Sequence, residues 1–278
     1  MKELKNIDFF NLESSIWVAD KKVNIPAYDF KFEPLFKVSR PRIESNVDTI
    51  CRTGAIRDYT NTYQSFLKYG YKLVNTPEQH TLASELEYWY PIIHKLTPKS
   101  KVYNNFPSLK EFYNDFKFPV FIKGNRQTAK HDLKLSVAKT ESEFLKIKDA
   151  YKENNILHWQ KVVIRDFIDL KPLNYTTEDK VQTSYEFRTF WWKNKLVGTG
   201  HYWSQYIEYT WSKEEEETAL KVAHSAVKLL DIPFLAIDLA LTINNEWIII
   251  ECNDAQESGY CGVNPMQLWR NIIRIESI

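Results

Sequence analysis

Near the end of the chain, Asp238 lies in the run AIDLALT, and Glu251 and Asn253 lie in IIIECND. A short polar turn at Asn244-Asn245 separates the two runs. Residues i and i+2 of a strand share a face, so Glu251 and Asn253 point the same way. A hairpin closed at Asn244-Asn245 sets Asp238 beside them. Carboxylate and amide oxygens converging on one face suit a hard cation such as magnesium beside phosphates. A solvated hairpin face is the plain alternative; the apolar Ile248, Ile249 and Ile250 leading into Glu251 weigh against it.

Three cations stand in similarly apolar settings. Lys123 ends the run FPVFIKG, where a lysine is costly unless it meets an anion. The polar stretch after it, GNRQTAKHDLKLS with Arg126, Lys130 and Lys134, reads either as a flap over phosphates or as a solvated loop with Lys123 snorkelling outward. Arg165 in VVIRDFI and Arg188 in YEFRTFWW sit inside strands with large apolar neighbours. Arginines so placed form ion pairs or recognise carboxylate or phosphate. Glu186, on the same face as Arg188, offers a purely structural partner. No serine-hydrolase elbow, HExxH motif or zinc spacing occurs, and His201, the one histidine near these runs, reads as a packing or substrate-edge residue.

These residues need elements to hold them. A short strand is expected at Ser15–Ala19, a helix within Asp48–Tyr69 and a strand at Tyr71–Val74. A helix opens at Thr76-Pro77, where Thr76 caps and Pro77 suits the first position, with a kink or break at Pro91. Then come a helix over Leu109–Phe116, the Lys123 strand paired with a strand over Leu133–Ala138, a helix over Glu141–Tyr151 and a strand over Lys161–Ile168. After the polar linker KPLNYTTEDKVQT, two strands meet at a Lys193-Asn194 turn. A helix over Glu214–Leu230 precedes the Asp238/Glu251 hairpin, and a last helix starts near Pro265. The segmentation gives an N-terminal α/β unit (1–100), a small β-rich unit (101–170) and a larger α+β unit (171–278). Hairpins dominate the second half, which excludes a simple parallel βαβ protein.

Composition narrows the function. Lys+Arg total 37 and Asp+Glu 36 in 278 residues, so bulk charge does not favour nucleic acid. Only 7 glycines are present, scattered, so neither the Rossmann nor the Walker phosphate loop occurs and a nucleotide must be held another way. The 3 cysteines form no CxxC pair, which fits a reducing compartment. With no signal-peptide pattern and no membrane-length apolar run, a cytoplasmic protein is expected.

Taken in order, the strand lysine (FPVFIKG), the strand KVVIRDFIDL, the arginine strand (YEFRTFWWKNKLVG) and the Asp…Glu-x-Asn hairpin resemble the ATP-grasp superfamily from about residue 70 to 262. Within it the chain resembles the clade named for two arginines and one lysine, to which amide-bond ligases have been assigned; ECNDAQESGY is similar to that clade's end motif. The resemblance implies an α+β fold in which two antiparallel-sheet subdomains clasp ATP, preceded by the small N-terminal unit. It implies that Lys123 contacts the α- and β-phosphates and that Asp166, Phe167 and Ile168 lie nearest adenine. Arg188 would face the γ-phosphate or acyl-phosphate, Arg165 would support it or bind substrate, and Asp238, Glu251 and Asn253 would hold Mg2+. Lys99 or Lys101 is a further phosphate candidate. The activity implied is ATP-dependent ligation of a small-molecule or peptide carboxylate to an amine, with substrate entering from the N-terminal unit and the loop Ala255–Val263. EFRTF and RDFI are also similar to ATP-grasp assembly chaperones of a translation initiation factor, which implies ATP and protein binding without ligation.

Overall fold

The computed structural model describes residues 47–52, 55–68, 71–126, 133–155, 157–175 and 182–276. The strand expected at Ser15–Ala19, the middle of the expected flap (127–132) and part of the polar linker (176–181) lie outside them. Among the described residues no helix is long and apolar enough to cross a membrane.

β1 (Val47–Thr49) pairs in parallel with β2 (Tyr71–Leu73), and α1 (Tyr59–Lys68) connects them. The helix expected within Asp48–Tyr69 thus occupies only the later part of that range. Tyr59, Tyr63 and Phe66 recur at helical spacing and are the buried face of α1. α2 (Pro77–Ser84) starts as its sequence predicts, with a capping box between Thr76 and Gln79 and proline in the first turn. The break expected at Pro91 falls earlier, at the extended Glu85; α3 (Leu86–Ile93) runs through Pro91 and stops two residues later. Asn125 explains the break. Its carbonyl accepts from Leu86 N–H at 3.0 Å and its side-chain oxygen from Glu87 N–H at 3.0 Å, so a distant residue caps α3.

Two four-stranded sheets follow. The first has the order β3-β6-β4-β5, built from β3 (Ser100–Tyr103), β4 (Val120–Gly124), β5 (Val137–Ala138) and β6 (Val162–Asp166). The strand expected over Leu133–Ala138 is shorter: 133–136 form a helical turn, α5 (Leu133–Ser136), and only Val137 and Ala138 pair with β4. α4 (Leu109–Asp115) and α6 (Glu141–Glu153) bury Phe112, Phe144 and Ile147 against the face carrying Val120, Ile122, Val162 and Ile164. The opposite face carries Lys123 and Arg165, one residue out of phase with that core.

The second sheet, β10-β9-β7-β8, is antiparallel throughout and comprises β7 (Glu186–Trp192), β8 (Lys195–His201), β9 (Phe234–Leu241) and β10 (Trp247–Asp254). Lys193 and Asn194 turn the β7–β8 hairpin with φ of 46° and 64°, the left-handed pair a two-residue hairpin loop requires. One face packs Phe187, Trp191, Ile237 and Leu239 beneath α7 (Lys213–Leu230), whose Ala219, Ala223 and Ala226 let the helix approach closely. The other face divides lengthwise: one end carries Phe190, Phe234 and Ala236 against α8 (Pro265–Glu276), the other Glu186, Arg188, Asp238 and Glu251.

The loop between β10 and α8 crosses β8 at two glycines. The three atoms nearest a Cβ on Gly200 would all be backbone: Val263 N, Gly262 C at 2.5 Å and Cys261 O at 2.6 Å. Backbone cannot rotate aside as a side chain can, so Gly200→Ala is expected to destabilise the chain by about 1–3 kcal/mol; thermal melting checks this, and an unchanged midpoint would contradict the close approach.

Candidate active site

The residues of interest lie on the two facing sheet surfaces. Lys123, Arg165 and Arg188 are 4%, 4% and 6% exposed, so each needs a partner inside the protein. Lys123 of β4 pairs with Glu251 of β10 and so bridges the two sheets. Arg165 of β6 donates from Nε to Ser100 Oγ at 2.8 Å and from Nη1 to the Ile250 carbonyl at 2.7 Å. Its Nη2 is buried and makes no hydrogen bond among the described residues. Burial pushes the Arg165 guanidinium down to about 10. Arg188 of β7 forms a fork with Asp238 of β9, Nε to Oδ1 and Nη2 to Oδ2 both at 2.7 Å, and donates from Nη1 to the Gly259 carbonyl at 2.9 Å. Burial opposes its charge, but the Asp238 carboxylate holds Arg188 well above its ordinary range.

Register explains the alignment. Arg188 lies opposite Asp238, and Asp238 opposite Glu251, so all three share a face. Asn253, opposite Ala236, shares that face. A register shift between Ile249 and Glu251 makes this arrangement possible. Ile249 belongs to the apolar core under α7, and a regular strand would turn Glu251 to that same side. The extra residue, Ile250, re-aims the strand and presents its carbonyl to Arg165. Nothing in the run IIIECND signals that bulge.

Asp238, Glu251 and Asn253 thus offer three hard oxygen donors on one surface, the donor chemistry that suits Mg2+. Both carboxylates are engaged by cations, Asp238 by Arg188 and Glu251 by Lys123. Among the described residues no group of three or more His, Cys, Asp and Glu could hold a metal. Glu186, a sequence-level partner for Arg188, is instead buried with Ser184 Oγ and Trp203 Nε1 donating to its Oε1.

Beside this surface a cavity of about 340 Å³ lies between the sheets, lined by Phe121, Arg165, Asp166, Phe167, Ile168 and Glu186, among others. Asp166 ends β6, and Phe167 and Ile168 follow it directly. Lys139 and Trp203 also line it and carried no sequence signal. Lys99 and Lys101 are not brought to the cleft. Ser100 lies opposite Arg165 and takes the inward position, so Lys101 turns outward to Asp115, while Lys99 reaches the Asp115 carbonyl.

Two antiparallel sheets facing each other across a cleft of this kind define the ATP-grasp fold. The sequence matches the ATP-grasp domain, R2K clade family 3, over residues 94–272, and the chain belongs to that family. Among solved structures it is similar to a RimK-domain ATP-grasp protein from Sphaerobacter thermophilus (TM-score 0.58, 11% identity, covering 82% of this chain and 80% of that one). It is also similar to the D-alanine–D-alanine ligase of Bacillus anthracis complexed with ATP (TM-score 0.54, 13% identity, 80% and 75%). The D-alanine–D-alanine ligase of Helicobacter pylori compares at a TM-score of 0.53 with 16% identity, covering 77% and 65%. No curated protein matches the chain.

Two outcomes are expected for stability. Arg188→Met alone strands the Asp238 carboxylate in the core and should cost about 3–5 kcal/mol, whereas Arg188→Met with Asp238→Leu should recover most of that loss; urea melts of the three proteins check this. Glu257, on the loop after β10, is pushed from its ordinary 4.5 up to about 7, chiefly by burial, with the Arg126 guanidinium opposing. Between these values the folded chain keeps a proton that the unfolded chain has released. Stability should therefore fall as pH rises from about 5 to about 7, by at most about 1.4 kcal/mol per pH unit. Glu257→Gln should flatten that slope in melts across the same window, and an unaltered slope would assign it elsewhere.

Proposed function

We propose that the chain is an ATP- and Mg2+-dependent carboxylate–amine ligase that forms an amide bond through an acyl-phosphate. The observation that carries this reading is the meeting of three buried cations and two carboxylates on the facing sheets. Charge neutralisation and positioning are what phosphoryl transfer asks of a protein, and this arrangement supplies them without a glycine-rich loop. The cavity beside Asp166, Phe167 and Ile168 takes the base and sugar. Lys123 contacts the α- and β-phosphates, and Glu251 joins Asp238 and Asn253 around the metal. Bound there, Mg2+ neutralises phosphate oxygens.

Arg188, at the end of the cleft beside the loop after β10, faces the γ-phosphate, and Arg165 supports it with a buried Nη2 that still has a hydrogen bond to give. An oxygen of the substrate carboxylate attacks the γ-phosphorus and the bond to the bridging oxygen breaks, releasing ADP. The amine nitrogen then attacks the acyl carbon, phosphate leaves, and the amine gives up a proton. The carboxylate belongs to a small molecule or peptide and enters from the side of the N-terminal unit and the loop Ala255–Val263. The units 1–100, 101–170 and 171–278 divide this work into substrate access, phosphate binding and metal binding, in a cytoplasmic setting.

Titration calorimetry with ATP, with and without Mg2+, tests the reading, followed by phosphate release against pooled acids and amines. Metal-dependent binding with release stimulated only when both an acid and an amine are present is the expected result. Lys123→Ala should weaken ATP binding by about tenfold or more, the loss of one charge-assisted contact. Undiminished affinity in that variant would remove Lys123 from the phosphate site. Binding with no stimulated release would favour an ATP-binding assembly protein over a ligase.

A further inference from the structure

His80 lies in α2, outside the span matched to the family, yet its ring touches both halves of the site. Nδ1 is 3.0 Å from Asp254 Oδ2 and Nε2 is 2.9 Å from Arg126 Nη2. An ionised carboxylate can only accept and a guanidinium can only donate, so the partners fix the ring: Nδ1–H donates to Asp254, and Nε2 accepts from Arg126. The ring is 3% exposed and stacks on Tyr59, with centroids 3.8 Å apart and planes parallel. Tyr59 is fixed in turn, donating to the Asn75 carbonyl at 2.9 Å and accepting from Gln256 Nε2 at 2.8 Å.

Each partner leads to one ligand set. Asp254 is the last residue of β10, next to Asn253 and three residues beyond Glu251. It is fully buried; Asn75 Nδ2 donates to its Oδ1 at 2.8 Å, and its N–H donates to Ser84 Oγ at 3.2 Å. Arg126 lies three residues beyond Lys123. Its N–H donates to Gln160 Oε1 at 2.9 Å and its Nη2 to Glu257 Oε2 at 3.1 Å. The imidazole therefore spans the strand end that bears the metal donors and the segment that leaves the phosphate lysine. These are the two chains whose relative placement sets the distance between phosphate and metal sites.

We propose that His80 is a positioning residue of the site: through Asp254 it holds the end of β10 that carries Glu251 and Asn253, and through Arg126 it holds the segment following Lys123. The proposal rests on the ligase reading. It assigns the N-terminal unit a part in ligand binding as well as in bounding the substrate entrance. The two ring nitrogens serve different ligands, so they can be separated by substitution. His80→Asn keeps a donor near the Nδ1 position and loses the Arg126 contact. His80→Gln keeps an acceptor near the Nε2 position and loses the Asp254 contact.

The test is calorimetric titration of ATP into the full chain over a series of Mg2+ concentrations, with thermal melts of each variant. His80→Gln should raise the Mg2+ concentration needed for half-maximal ATP affinity by about tenfold, the usual cost of losing a group that orients a metal ligand. ATP affinity at saturating Mg2+ should then stay near the unmodified value. His80→Asn should do the opposite, weakening ATP binding several-fold at saturating Mg2+ and leaving the metal requirement in place. Asp254→Asn, which keeps the shape of its side chain, should follow His80→Gln and provides the metal arm independently if the histidine variants fold poorly. Equal losses in both quantities across the variants, tracking their melting points, would reduce His80 to a core residue and overturn the proposal. So would two variants indistinguishable from the unmodified chain. An unmodified chain that binds no nucleotide would instead overturn the ligase reading beneath it.

Discussion

A strand shows alternate residues to alternate faces, and β10 has to break that rule once. Ile249 belongs under α7 and Glu251 belongs in the cleft, yet two residues apart they would share a side. The extra residue at Ile250 resolves the conflict, and much of the site follows from it. Glu251 comes opposite Asp238 and within reach of Lys123, and Cys252 takes the core position that Glu251 would have filled. The carbonyl released from the ladder becomes the anchor for Arg165. A single irregularity thus supplies both a charge partner on one sheet and a carbonyl for the other.

Much of the framework was legible in the sequence. Apolar runs marked β4, β6, β9 and β10, Thr76-Pro77 marked the start of α2, and Lys193-Asn194 marked the hairpin turn, because each depends on neighbouring residues alone. The grouping of Lys123, Arg165, Arg188, Asp238 and Glu251 was legible through the order of their strands. Features decided by distant contacts were not. The break at Glu85 depends on Asn125, forty residues away, and the preference of Arg188 for Asp238 over Glu186 depends on cross-strand register. His80 carried no sequence signal and Arg126 stood only as part of a flap or solvated loop, since only the fold brings them to Asp254 and Glu257.

The N-terminal unit is built into the rest. Asn125, at the exit of β4, caps α3, while Asn75 bonds Phe234 at the start of β9 and Asp254 at the end of β10. Trp89 of α3 lies under the Arg165 guanidinium, 5.9 Å from ring centre to carbon, where an aromatic face tempers a buried positive charge. These contacts join segments far apart in the chain. Closing the intervening loops costs entropy that these contacts must offset.

The paired charges of the cleft also set terms of entry. Lys123 with Glu251, and Arg188 with Asp238, pair charges across the cleft, with Arg165 a third buried cation beside them. An anion that took a cation for itself would strand a buried carboxylate, and a metal ion that took a carboxylate would strand a cation. A visitor carrying charge of both signs exchanges partners on both sides at once and strands neither. Under the proposed ligase reading, such paired charges favour a polyanion that arrives together with its counter-cation.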